Sequence, residues 1–255
     1  MGIGIIPLVS TIVSIMFAIT VLDQFFARRK PFQLLWAIGF MIYGVSAFTE
    51  FYTETYGLNV IMFRLWFFFG AILVAAYLGQ GTVYLLLPRH VANILMIILG
   101  VFSVYALFRM FSVNITLGAA AHLTDKITVP FDITAITTVL SVYGTTALVG
   151  GALYSAWVFW RKKTYSYRVL SNILIAVGAL LPAIGGSLLK LGTTRGWQFY
   201  SLELSGVLII FVGFIRTREV FGLYRFPLIH GFKKVEIKPS EKFKKEPEQQ
   251  INETR

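Results

Sequence analysis

Residues 60–87 read VIMFRLWFFFGAILVAAYLGQGTVYLLL, 28 residues that contain one charge, Arg64. A helix needs about 20 predominantly apolar residues to cross the hydrocarbon core of a bilayer, and this run exceeds that. Polar and apolar residues do not alternate along it, as they do in the strands of a membrane β-barrel. Six other stretches have the same character: 3–25, 32–51, 91–108, 133–160, 169–191 and 199–221. The composition of the whole chain agrees. Of 255 residues, 56% are hydrophobic and only 14% charged, with a mean hydropathy of +0.72, whereas soluble domains carry about 25% charged residues. The sequence predicts an all-α membrane protein, a bundle of seven transmembrane helices over residues 1–222, followed by a basic cytoplasmic tail over residues 223–255 that is expected to be disordered.

Lys and Arg set the orientation, because they accumulate in cytoplasmic connections. Arg28, Arg29 and Lys30 follow the first span, Arg89 the third, and Arg161, Lys162, Lys163 and Arg168 the fifth. With the ten in the segment from Arg216 onward, 18 of the 23 basic residues fall on one side. This predicts an outside N-terminus and an inside C-terminus, in a cytoplasmic membrane. The first apolar segment has its positive cluster after it and no basic stretch before it, so it reads as a retained helix, not a cleaved signal. The tail has the charge to lie on anionic lipid or to dock a cytoplasmic protein. Nothing points to nucleic acid.

Spans one to three and five to seven share a layout: a helix ending in a basic cluster, a helix rich in small residues, and a third with an early glycine (Gly70, Gly206). This suggests a 3+1+3 repeat with the fourth span as linker, of the kind found in some transporters. Alternating basic loops in any seven-helix protein would produce much of the same pattern.

Ionisable residues inside a membrane are costly and are candidates for function. With the span limits above, Glu50, Arg64, Lys190 and Glu203 fall at outer ends of helices, and the hairpins bring Glu50 near Arg64 and Lys190 near Glu203. They predict either ion pairs that pin loops or a polar mouth able to orient a charged small molecule. Below that mouth, Tyr43, Tyr77, Gln80, Tyr84 and Asn172 lie on polar stripes at helical spacing and are candidate pocket residues. Helix–helix hydrogen bonding explains such stripes equally well.

Several chemistries are excluded. Cysteine is absent, so no thiolate nucleophile, thiolate metal site or disulfide exists. His90, His122 and His230 fall on an inner loop, an outer loop and the tail and cannot converge on a metal. Span seven lacks the lysine that a retinal Schiff base requires. No phosphate loop or nucleophile elbow is present. An acid at depth, the usual mark of proton coupling, is not expected from these span limits. The sequon Asn114-Ile115-Thr116 sits in the long outer loop. No enzyme activity and no cofactor are expected.

The stretches FRLWFFFGAILVAAYLGQGTVYLL, GGALYSA and NILIAVGALLPAIGGSLLKLG resemble a group of uncharacterised prokaryotic seven-helix membrane proteins. The resemblance covers spans two to seven and implies the architecture alone. The layout is also similar to that of the 3+1+3 sugar transporters, without their Pro-Gln pairs. The sequence therefore predicts a bundle that binds or passes a small molecule through its outer half, as a sensor or receptor-like subunit or a small-solute transporter. The alternative is a structural or accessory subunit of a larger membrane complex, which the bulky apolar faces of spans one and four would suit.

Overall fold

The structure, a computed structural model, describes residues 3–118, 120–125, 127–162, 166–194 and 196–216. The predicted tail and the last residues of the predicted seventh span lie outside them. The described residues contain seven helices long and apolar enough to cross a membrane: α1 (Ile5–Arg28), α2 (Pro31–Tyr56), α3 (Val60–Leu86), α4 (Arg89–Ser112), α5 (Phe131–Arg161), α6 (Ser166–Lys190) and α7 (Gly196–Arg216). No strand occurs among the described residues. The α4–α5 connection is the longest, and its end of the bundle is called here the wide-loop end. The opposite end carries Arg28, Arg29, Lys30, Arg89, Arg161 and Lys162 and is called the basic end.

Six helices form a ring in the order α1, α2, α3, α5, α6, α7, closed by α7 against α1, while α4 lies outside against α3 and α5. The first helix buries one stripe. It is Pro7, Ser10, Thr11, Ser14, Phe17, Ala18 and Val21, the three- and four-residue spacing of a single helical face. Ser10, Thr11 and Ser14 send their hydroxyls to carbonyls four residues back, so these polar groups are satisfied within the helix. The opposite face of α1 exposes Ile5, Val9, Ile12 and Met16. In the basic half the ring is filled by Phe17, Phe40, Leu78, Val207, Ile210 and Phe214, with Phe17 stacked on Phe40 at 3.8 Å between centroids.

Because lipid tails are as apolar as the helices, association depends on close packing and interhelical hydrogen bonds. Two contacts show how close. A Cβ on Gly144 of α5 would lie 2.1 Å from the carbonyl carbon of Ala75 in α3, and one on Gly79 would lie 2.5 Å from the Gly144 oxygen. Gly178 of α6 and Gly206 of α7 meet the same way, each within 2.8 Å of the other's carbonyl oxygen. Both α3 and α5 widen into π-helical turns, over Phe67–Val74 and Thr146–Gly150, and Ser141 of α5 donates to the Ala71 carbonyl inside the first of these, 3.1 Å away.

Of the helix limits that differ from those read in the sequence, two matter for the site. α2 runs five residues beyond Phe51 and α7 begins three residues before Phe199. The added segment of α2, YTETY, looks too polar for a span. Its threonines nevertheless support the helix, Thr53 donating to the Thr49 carbonyl and Thr55 to that of Phe51. The helix stops where Gly57 takes a positive φ of 96°, which glycine adopts without strain.

Replacing Gly144 with Ala forces two backbones apart. Overpacking of this kind costs about 1–3 kcal/mol, so the purified variant should melt several degrees lower by circular dichroism. Gly100→Ala, whose Cβ would meet nothing within 4 Å, should melt like the parent.

Candidate functional site

Glu50 lies six residues before the end of α2 and Glu203 seven residues after the start of α7. At 1.5 Å per residue that puts both about 10 Å inside their helices, not at the ends where the sequence-derived limits placed them. Glu50 is 1% exposed. Its Oε1 accepts a hydrogen bond from the indole Nε1–H of Trp66 on α3, at 2.8 Å. Its Oε2 is buried and meets no hydrogen-bond donor. The Glu203 carboxyl lies against it. From two turns deeper on α2, the Tyr43 hydroxyl donates to the backbone carbonyl of Glu203 at 2.9 Å. The faces that supply these groups are simple to derive: Tyr43, Ala47, Glu50 and Glu54 share one side of α2, and Tyr200, Glu203 and Val207 one side of α7.

Toward the wide-loop end a third carboxyl group continues the row. Glu54 Oε1 accepts from the Tyr200 hydroxyl at 2.9 Å and stands 3.2 Å from Nδ1 of His122. His122 belongs to the α4–α5 connection, and its position is set locally. Asp125 Oδ2 accepts the backbone N–H groups of Ala121 and His122 at 2.7 and 2.9 Å, while Leu123 and Ile115 insert into the core. The ends of the connection are tied by Arg109 Nε to Asp132 Oδ2 at 2.6 Å. Trp66 and Phe199 meet edge-on at 6.3 Å and close the α3–α7 side. The result is a buried junction of α2, α3 and α7, acidic and walled by aromatic rings.

The structure brings together three of the nine sequence candidates: Tyr43, Glu50 and Glu203. Arg64 does not pair with Glu50. Its guanidinium donates to the Phe111 and Val113 carbonyls at 2.9 and 2.6 Å, satisfying free carbonyls at the end of α4. Lys190 is exposed and forms no ion pair with Glu203. The expected ion pairs are absent: Arg64 is held by the carbonyls at the end of α4, Lys190 stays at the exposed end of α6, and the two acids lie inside their helices.

Gln80 and Tyr84 belong to a separate cluster about 20 Å along α3 from Trp66. Gln80 is fully buried, donates to the Ala92 carbonyl of α4 at 2.8 Å and accepts from Tyr143 of α5. Tyr84 donates to Asn93 at 2.7 Å. Both ends of the Gln80 amide are satisfied, which makes it a clasp between three helices. Tyr77 packs into the apolar core, and Asn172 donates to the Arg168 carbonyl of its own helix. Trp66, Tyr200, Glu54 and His122 were not chosen from sequence. The seven- and eleven-residue spacing from Tyr43 to Glu50 and Glu54 is the signal that could have found Glu54. Only the fold brings in the others.

Beside the junction, on the other face of α7, an open cleft of about 500 Å³ is lined by Leu188, Thr193, Trp197, Gln198, Ser201 and Ser205. No group of three or more His, Cys, Asp or Glu residues able to hold a metal occurs among the described residues. No protein-family profile matches the chain, and neither a curated protein nor a solved structure is significantly similar to it.

Trp66→Phe keeps an aromatic ring but leaves Glu50 Oε1 without its donor. Stranding a buried acceptor costs about 1–3 kcal/mol, so the variant should lose thermal stability. In a double-mutant cycle, Glu50→Gln with Arg64→Gln should show a coupling below about 0.5 kcal/mol, as for groups without shared partners. A larger coupling would reinstate the ion pair.

Proposed function

We propose that this multi-pass membrane protein binds or passes a small molecule through the wide-loop half of its bundle, as a sensor-like subunit or a small-solute transporter. The observation that carries the reading is Glu50, a fully buried acid with one unpartnered oxygen at a junction of three helices. Burying an ionisable group without a cation is expensive, and an architectural role does not require it. Gln80 on α3 is satisfied at both ends; of the four buried side-chain atoms left without a partner among the described residues, on Gln24, Gln33, Glu50 and Arg64, only that of Glu50 belongs to an acid. The aromatic walls and the adjacent acids Glu54 and Glu203 suit a solute carrying positive charge. The cleft across α7 offers an approach, and opening of α7 relative to α2 would give access.

In the same reading the wide-loop end faces outward, the basic end faces the cytoplasm of a cell bounded by this membrane, and the basic tail lies on anionic lipid. The 3+1+3 repeat and the kinship with prokaryotic seven-helix proteins belong to this proposal too. No catalytic constellation among the described residues argues for an enzyme.

Native mass spectrometry of the chain released from its own membrane should show a reproducible non-lipid adduct. Glu203→Gln should lose it and Lys190→Met should keep it. Ordinary lipids alone in the parent would defeat the reading. The natural absence of cysteine allows orientation to be tested directly with a membrane-impermeant maleimide. Thr116→Cys should label on intact cells and Lys162→Cys only after permeabilisation; the reverse pattern would invert the topology.

A further inference from the structure

Two carboxyl groups in contact, Glu50 fully buried and Glu203 partly buried, do not both keep a full negative charge inside a helix bundle unless a positive charge lies between or beside them. The surroundings of the Glu50–Glu203 pair can be gone through element by element. On α2 the ionisable neighbours are Tyr43 and Glu54; on α7, Tyr200; from the α4–α5 connection, His122. His122 is spent on Glu54 and is more than half exposed. On α3 the one cation is Arg64, whose guanidinium is turned to the end of α4. α1 places Asp23 and Arg28 at the far end of the bundle, and α6 places Lys190 at its exposed end. No described side chain delivers a cation to the pair.

Hydrogen bonding makes the same point independently. Glu50 Oε1 has the Trp66 indole, but Oε2 is buried with no N–H or O–H directed at it. The group lying against Glu50 is a second carboxyl, which can donate only if it carries a proton. One proton between the two acids would remove one negative charge and supply the missing donor together. Nothing larger than a proton or a small ion is needed to complete the site in its closed form.

The geometry points to the Glu50–Glu203 pair as a proton-binding site, holding one exchangeable proton as a carboxylic acid hydrogen-bonded to a carboxylate. The chemistry is simple addition: a proton joins one carboxylate oxygen and the partner carboxylate accepts its hydrogen bond. Loss of that proton leaves two adjacent anions, one of them fully buried, which repel, and α2 and α7 then part or admit a cation in its place. Proton occupancy is thereby coupled to the opening of the same junction through which a solute is proposed to pass. This coupling rests on the small-molecule reading, whereas the proton site itself does not.

The test uses the full chain in lipid nanodiscs without added solute. Infrared difference spectra between acid and alkaline buffer should show the C=O stretch of a protonated carboxyl, shifted in deuterium oxide. The band should vanish in Glu203→Gln and in Glu50→Gln, and survive in Glu54→Gln. A second measurement, proton release followed with a pH dye on alkalinisation, should fall by about one proton per chain in either of the first two variants. Circular dichroism identifies any variant that has failed to fold, and the other of the pair then decides.

Absence of the band in the parent overturns the proposal, as does a band unchanged in both variants. A band that appears only when sodium and potassium are removed shows that a metal ion is the resident cation, and also overturns it. Adduct loss in the mass spectrum with no carboxyl band would retain the solute site and reject the proton. The opposite result would retain the proton and reject the solute.

Discussion

A carboxylate moved from water into a helix bundle loses its hydration, and the protein must replace it. At Glu50 the replacement is incomplete. Trp66 supplies one hydrogen bond from α3, and the remaining neighbour, Glu203, brings the same sign of charge. Much of the wide-loop half can be understood from that constraint. α2, α3 and α7 must converge there, Tyr43 and Tyr200 must cross from helix to helix, and the α4–α5 connection must reach back across the bundle to Glu54. Interhelical hydrogen bonds in membrane proteins contribute roughly 0.6 kcal/mol each on average. Three or four of them therefore contribute about 2 kcal/mol, less than the several kcal/mol that an unrelieved buried charge costs. The local network cannot by itself stabilise a doubly charged pair, and the site must be compensated from elsewhere.

The Gln80 cluster contrasts with this. Gln80, with Ala92 and Tyr143, shows what a satisfied polar group looks like in the same protein: its amide nitrogen and its amide oxygen each have a partner, on two other helices. The Gly79–Gly144 and Gly178–Gly206 approaches hold α3 to α5 and α6 to α7 backbone to backbone. α2 and α7 have no such clasp at the wide-loop half and are joined there by polar side chains.

The seven helices were legible in the sequence because length and hydropathy are sufficient to define a membrane span. Their limits were not, and a few residues changed the meaning of two acids. Hydropathy ended α2 at Phe51 because Tyr52, Thr53, Glu54 and Thr55 look polar, although threonine hydroxyls bonded to their own helix carry little cost. α7 was started at Phe199 because the residues just before it include Trp197 and Gln198. With those limits Glu50 and Glu203 stood at the surface beside Arg64 and Lys190, and ion pairs followed naturally. Correct limits place them one to two turns inside. The partners Trp66 and Tyr200 come from other helices, and sequence spacing carries no information about which helices meet.

The π-helical turns of α3 have a further consequence. Trp66 stands just before Phe67–Val74 and Gln80 follows it, so the stretch fixes the rotational phase between the two. Each residue of an ordinary helix advances about 100°; the wider turns advance less. The upper and lower parts of α3 are therefore two screws joined by a washer. Relaxing those turns to ordinary helical winding would swing the Trp66 indole around the axis while Gln80 stayed clasped to α4 and α5. One transmembrane rod can thus serve as a fixed post at one end and a rotating pointer at the other.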